Sequence, residues 1–312
     1  MLFPAALFRA QARKALQGHW QTALLIALAV NLPSLLVQAV SAFTGADPLA
    51  QVQNLLITVS RDGMMSQRAL EAGLERIFAQ SSVWVSVGAT VLVWLVTPCL
   101  SLGMNRWLLL RLRNQEGPFS TVFSLLRIAH KAIGLQLLRA LLVLLWMLPG
   151  VAVMLLSALP LLQANAAIPS SVLSAMNSSL MFSWGGMILM GALGVIAALR
   201  YALSDFLLAD APEKGIRACL RESRQRMHRR KGMLFSLELS FIFWYLGEML
   251  VASFLSGLGA EIPSLMFQML ASLFLTVYLQ GAVGSFFEAV MKLPEGVPVP
   301  PPSEAETPES LD

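Results

Sequence analysis

Apolar positions in this chain gather into six runs, and polar or charged positions concentrate between them. A helix needs about 20 mostly apolar residues to cross a hydrocarbon core of roughly 30 Å. The runs cover about 20–43, 83–110, 133–162, 181–208, 234–258 and 265–289. They predict an all-α, polytopic membrane protein with six transmembrane helices. The third and fourth runs are long enough to tilt or kink, with Pro149 and Pro160 as kink positions that neighbouring helices can tolerate. The first run is too long for the apolar part of a secretory signal, which holds about 7–15 residues, so it reads as a retained span. Trp20, Trp84, Trp107 and Trp184 fall near span ends, where amphipathic rings sit at headgroup level.

Charge then orients the spans. Eight of the 22 basic residues lie between Lys214 and Lys231. Leaving Arg139 and Arg200 inside their spans, one side of the membrane carries 17 Lys and Arg and the other three, Arg61, Arg68 and Arg76. Loops rich in Lys and Arg stay cytoplasmic. The expectation is a membrane protein with both termini in the cytoplasm.

The connections predict further helices. Leu70, Leu74 and Ile77 recur at helical spacing with Arg68, Glu71 and Glu75 off that stripe, which predicts an amphipathic helix on the outer side. Amphipathic basic segments near Arg9, Ser120 and Glu213 each precede a two-span hairpin. They form a weak threefold repeat, read either as duplication or as the basic inner flank any such hairpin needs. Residues 163–180 read as an uncharged outer loop. The tail 293–312, with six prolines and five acidic residues, is too polar to build a core and reads as disordered.

Composition agrees with a membrane protein: 56% hydrophobic and 13% charged residues, against about 25% charge in soluble domains. The net charge of +4 follows from basic membrane flanks, and nucleic-acid binding is not expected. Cys99 lies in a span and Cys219 in the basic loop, so a disulfide is not expected. His19, His130 and His228 lack metal-ligand spacing.

Several segments resemble a known family. Tyr201, Ala209-Asp210-Ala211-Pro212, Ser223, Met227 and the block Phe235-x-Leu237-Glu238-Leu239-Ser240-Phe241-Ile242-x-Trp244 look like its signature. So do Leu148-Pro149-Gly150 and the opening Arg9-x-x-x-Arg13-x-x-Leu16-x-Gly18-x-Trp20. The chain thus resembles the bacterial membrane family catalogued as domain of unknown function 975. The resemblance implies a multi-span membrane protein and brings no activity or cofactor. Phe243 and Arg229 stand where the family pattern leads one to expect glycine.

Candidate chemistry rests on charges inside spans, which cost about 2.5–3.5 kcal/mol each at a helix centre and so need a reason. Arg139, Arg200 and Glu238 fall in the cytoplasmic third. Either they form a polar pocket open to the cytoplasm, or one arginine pairs with Glu238 to hold helices together while the arginines snorkel. Glu248 lies deeper, ten residues on and about 80° around the helix, with no evident partner. It is either a protonatable functional group or a neutral acid bonded locally. Along the basic helix Arg217, Arg221, Arg224, Arg229, Arg230 and Lys231 are candidates for contact with anionic lipid headgroups, or carry only the charge that sets topology. Gly185, Gly186, Gly191 and Gly194 suit close helix approach. No phosphate-binding loop, nucleophile elbow or H-E-x-x-H motif occurs, so neither catalysis nor a cofactor is expected. With the resemblance, the leading expectation is a non-enzymatic, multi-pass protein of the bacterial inner membrane acting in envelope organisation, lipid interaction or scaffolding. The alternative is a small transporter or lipid-handling permease using the inner polar cluster and Glu248.

Overall fold

The computed structural model describes residues 5–44, 51–55, 67–157 and 169–293. Among them there is no strand, and six helical segments are long and apolar enough to cross a membrane. The expected disordered tail lies almost wholly outside the described residues.

The elements run α1 (Ala5–Leu16), α2 (Trp20–Thr44), α3 (Gln67–Ala79) and α4 (Ser81–Leu112). Two 3₁₀ turns follow (Phe119–Phe123, Leu126–Ile128), then α5 (Ala129–Leu156) and α6 (Pro169–Tyr201). The chain ends in α7 (Ser204–Asp210), α8 (Ile216–Arg226), α9 (Lys231–Leu239), α10 (Ile242–Gly257) and α11 (Glu261–Met291). Two of the expected spans are therefore broken. The fourth turns at residues 202–203 between α6 and α7, and the fifth at 240–241 between α9 and α10. Residues 169–180, read from composition as loop, belong to α6. The segment near Ser120 forms 3₁₀ turns, so the threefold pattern of interfacial helices is met only by α1 and α8.

Local chemistry explains the helix ends. Gly18 takes a φ of 79° after α1, a left-handed conformation that costs glycine nothing. Asn114 takes the same role after α4 at φ 55°, and the Gln115 N–H reaches back to the Leu110 carbonyl at 2.8 Å, closing the orphaned last turn. Arg229 occupies a third such position, φ 65°, between α8 and α9. Glycine is what this backbone favours there, which accounts for the family expectation.

The core sits at one end of the bundle, where α1, α7, α8 and the foot of α9 meet the ends of α4 and α11. This is called the basic end below. Helix α1 buries Phe8, Ala12 and Leu16, one face at four-residue spacing. Phe8 meets Phe286 edge-on at 5.5 Å between centroids, and the Ser285 hydroxyl donates to the Phe8 carbonyl at 3.0 Å. Helix α7 buries four consecutive residues, Phe206 to Ala209, in the same core. Cys99 and Cys219 are free thiols buried in it. Burial pushes the Cys219 thiol above its ordinary range.

Toward the far end α5 and α6 stay together but separate from the rest. Gly150 and Gly186 let their backbones touch: a Cβ at Gly150 would fall 2.5 Å from Met190 main-chain atoms, and one at Gly186 2.7 Å from the Met154 nitrogen. Gly194 faces Met147, whereas Gly185 and Gly191 face open space. Phe243 is 77% exposed, so no helix packs closely at that position. Trp84 and Trp184 are exposed as interfacial rings would be, but Trp107 is fully buried. Its indole N–H finds the Gly117 carbonyl at 2.9 Å because the loop after α4 folds back over it.

Candidate functional site

A cleft of about 710 Å³ opens where the α5–α6 hairpin parts from α4, with α7, α9 and α11 closing its basic end. Helix α4 turns a polar face to it: Thr90, Trp94, Thr97, Ser101 and Asn105, spaced four, three, four and four residues apart. That spacing keeps all five on one side of a helix. At 1.5 Å per residue the stripe runs about 22 Å along the span, so the cleft extends well into the depth a bilayer core occupies. Helix α5 contributes Gln136 and Arg139, α7 Asp205, α9 Glu238 and α11 Gln280.

An ion pair organises one wall. Nη1 of Arg139 donates to Oδ2 of Asp205, and Nη2 donates to Oε1 of Gln136 at 2.6 Å. The expected pairing of an arginine with Glu238 is not made. The turn at residues 202–203 sets Asp205 against α5, so Arg139 meets a carboxylate nearer than Glu238. Arg200 points elsewhere, its guanidinium carbon 5.5 Å from the Trp146 ring centroid, where the aromatic face stabilises the cation. Glu238 lines the cleft on an exposed flank of α9, with no ion-pair partner among the described residues.

The remaining groups divide by where their protons go. The hydroxyls of Thr90 and Ser101 donate to the carbonyls of Ser86 (2.8 Å) and Pro98 (3.0 Å), the usual way a hydroxyl is satisfied inside a span. Thr97 Oγ1 and Asn105 Oδ1 are buried with no hydrogen-bond partner among the described residues. Buried polar atoms are rarely left so, because desolvation without a hydrogen bond costs about 1–3 kcal/mol. The cleft thus presents a spent ion pair, a carboxyl at its rim, and amide and hydroxyl groups able to bond a guest, against apolar walls from Val143, Val195, Leu199 and Leu279.

Glu248 stands apart from this cleft, in a separate opening between α2, α10 and α11. On the basic helix Arg217, Arg221, Arg224 and Arg229 are exposed while Cys219, Leu220 and Ser223 face the core. Arg230 is fully buried, with Nη1 3.3 Å from the Arg226 carbonyl, and Lys231 is half-buried. The left-handed turn at Arg229 directs Arg230 inward, so Arg230 meets no headgroup in this arrangement. Other basic residues are spent on structure. Arg113 binds Asp210 (2.6 Å) and Glu288 (2.8 Å), and Lys131 donates to the carbonyls of Pro212, Glu213 and Lys214 at 2.8–3.4 Å.

A family model described as protein of unknown function, DUF975, matches residues 6–294. The chain belongs to the DUF975 family. No curated protein and no solved structure matches this DUF975 chain. Within it, the signature block that carries the resemblance includes Glu238 at the rim of the cleft and Phe241, which is fully buried against Tyr278 at 5.1 Å between ring centroids.

Reading charges alone missed the polar face of α4, Gln280 and the role of Asp205. The signal for the first was in the sequence: five polar or amphipathic positions at helical spacing inside an apolar run.

Proposed function

We propose that this DUF975 protein holds a small polar or amphipathic solute in the cleft between α4 and the α5–α6 hairpin, as a permease-type or lipid-handling protein of the bacterial inner membrane. The observation that supports this reading is the polar face of α4, about 22 Å long, which lines one cleft together with the Arg139–Asp205 pair, Gln280 and Glu238. A purely scaffolding bundle gains nothing from such a face, since each unsatisfied group costs stability that an apolar residue would not. The groups suit binding better than catalysis: the Ser101 proton is committed to a carbonyl and the Arg139 charge to Asp205. The excess of basic residues at the end holding α1 and α8 favours that end, and both termini, in the cytoplasm. The exposed row Arg217, Arg221, Arg224 and Arg229 then faces the anionic inner leaflet, each charge gaining about 1 kcal/mol there.

The test is to fill the cleft. Ala198→Trp places an indole among the lining residues. Native mass spectrometry of protein extracted in mild detergent should show a co-purifying small molecule or lipid on the wild type, reduced at least tenfold on Ala198→Trp. Equal cargo on both proteins would overturn the cleft as the binding site.

A further inference from the structure

A second polar opening, of about 420 Å³, lies toward the far end, between α2, α10 and α11. Its polar lining is Asn31, Ser34, Glu248, Gln268 and Ser272. Glu248 is its one charged residue. Tyr245, a turn earlier on α10, is the titratable neighbour, and the lining from α2 and α11 holds no ionisable group.

Two of the donors in this opening are satisfied within their own helices. Nδ2 of Asn31 donates to the Ala27 carbonyl at 2.8 Å, and the Ser272 hydroxyl to Met269 at 3.0 Å. Both groups keep their oxygen lone pairs free. With Glu248 the one charged residue of the lining, and acceptor oxygens on Asn31, Gln268 and Ser272 beside it, the opening recognises a cation that donates hydrogen bonds. Its size argues against a bare metal ion, since about 420 Å³ would hold on the order of a dozen waters at roughly 30 Å³ each. The rest of the lining is apolar: Leu35, Leu265, Met269 and Leu273. An adjoining opening shares Leu265 and Gln268 and adds Ser253, Ser256 and Ser264, leading toward the α10–α11 turn at residues 258–260. The Ser264 hydroxyl is spent in the same way, on the Ala252 carbonyl at 2.8 Å.

We infer that this opening binds an amphiphilic primary amine, its ammonium group on Glu248 and its alkyl part on Leu35, Leu265, Met269 and Leu273. The three N–H donors of the ammonium meet the carboxylate and two of the free oxygens of Asn31, Gln268 and Ser272, and the ion pair offsets the cost of a lone charge at that depth. Entry is from the far end, past Ser253, Ser256 and Gln268. The inference stands on different residues from the cleft and does not depend on it. The amine could be free or the headgroup of a lipid such as phosphatidylethanolamine; the chemistry at Glu248 is the same.

The experiment is thermal unfolding of the full-length protein in an uncharged detergent, titrated with hexylammonium. Controls are hexanol, sodium chloride and tetramethylammonium, which lacks N–H donors. Hexylammonium should raise Tm saturably and the controls should not. Glu248→Gln should abolish the response, and Gln268→Leu should raise the half-saturating concentration about tenfold, as expected for one lost bond to a charged group. Should Glu248→Gln fail to fold, Ser34→Leu fills the opening without touching charge and must remove the response. Equal stabilisation by hexanol would reduce the opening to an apolar groove, equal stabilisation by sodium would make it an ion site, and no saturable response would leave no site; each overturns the inference. Repeating the titration in nanodiscs identifies the source. A response blunted in phosphatidylethanolamine but not in phosphatidylglycerol assigns the site to the lipid headgroup, and equal responses assign it to a free amine.

Discussion

The Arg139–Asp205 pair offers a measurable quantity that distinguishes the observed wiring of the cleft from the pairing with Glu238 that charge positions suggest. Fully exposed pairs contribute about 0–1 kcal/mol, whereas breaking a fully buried one costs about 3–5 kcal/mol. The two side chains are 26% and 28% exposed, and Arg139 keeps Gln136 as a second partner. Asp205→Asn should therefore lower unfolding stability by about 2–3 kcal/mol, and Arg139→Gln by a similar amount. The double variant removes the charge left alone in each single one, so its loss should fall short of the sum by about 1–2 kcal/mol. A parallel cycle of Arg139→Gln with Glu238→Gln should show less than about 0.5 kcal/mol of coupling, because those groups share a cleft but not a bond. Denaturant titration of the detergent-solubilised protein, followed by circular dichroism, gives all six numbers. Strictly additive losses for Arg139 and Asp205, or coupling that appears with Glu238 instead, would refute the assignment.

Arg229→Gly should stabilise the protein by about 0.5–1 kcal/mol in the same assay, since a left-handed backbone costs an L-residue more than glycine's added chain entropy. Gly186→Ala should cost about 1–3 kcal/mol, because its Cβ would press on the α5 backbone at Met154, whereas Gly191→Ala, facing open space, should be neutral or slightly stabilising. Sidedness can be read with both native cysteines in place, because they are buried and the Cys219 thiol is held above its ordinary range. With an impermeant maleimide, Gln80→Cys should label in intact spheroplasts and Gln225→Cys only after permeabilisation. Labelling of Gln225→Cys from outside would invert the orientation.

The six membrane-length helices were legible because hydrocarbon sets a length that few other structures demand, and the amphipathic stripe at Leu70, Leu74 and Ile77 likewise anticipated α3. What was not legible depends on contacts between distant elements. Hydropathy averaged over a span does not mark the turns at 202–203 and 240–241, where Ser240 alone is polar. The partner of Arg139 depends on the first of those turns. Arg230 and Trp107 look like interfacial residues by type, yet the chain folds each inward, one by a left-handed turn and the other by a loop carbonyl. The polar face of α4 was present in the spacing but is uncharged, and a search led by charge passes over hydroxyls and amides.

The α5–α6 hairpin is anchored at one end. Along α5 only Ala132, Leu135 and Gly150 are buried. The contacts that seat the hairpin are at its foot, where Lys131 grips the carbonyls of Pro212 to Lys214 and Arg139 holds Asp205. Such a body is a lever. Helix α5 is about 42 Å long at 1.5 Å per residue, so a 5° rotation at its foot moves the opposite tip by roughly 4 Å. The fulcrum is the strand of chain that leads directly into the arginine-rich helix α8. A small rotation at the foot would thus be magnified along the hairpin into a change in the width of the cleft.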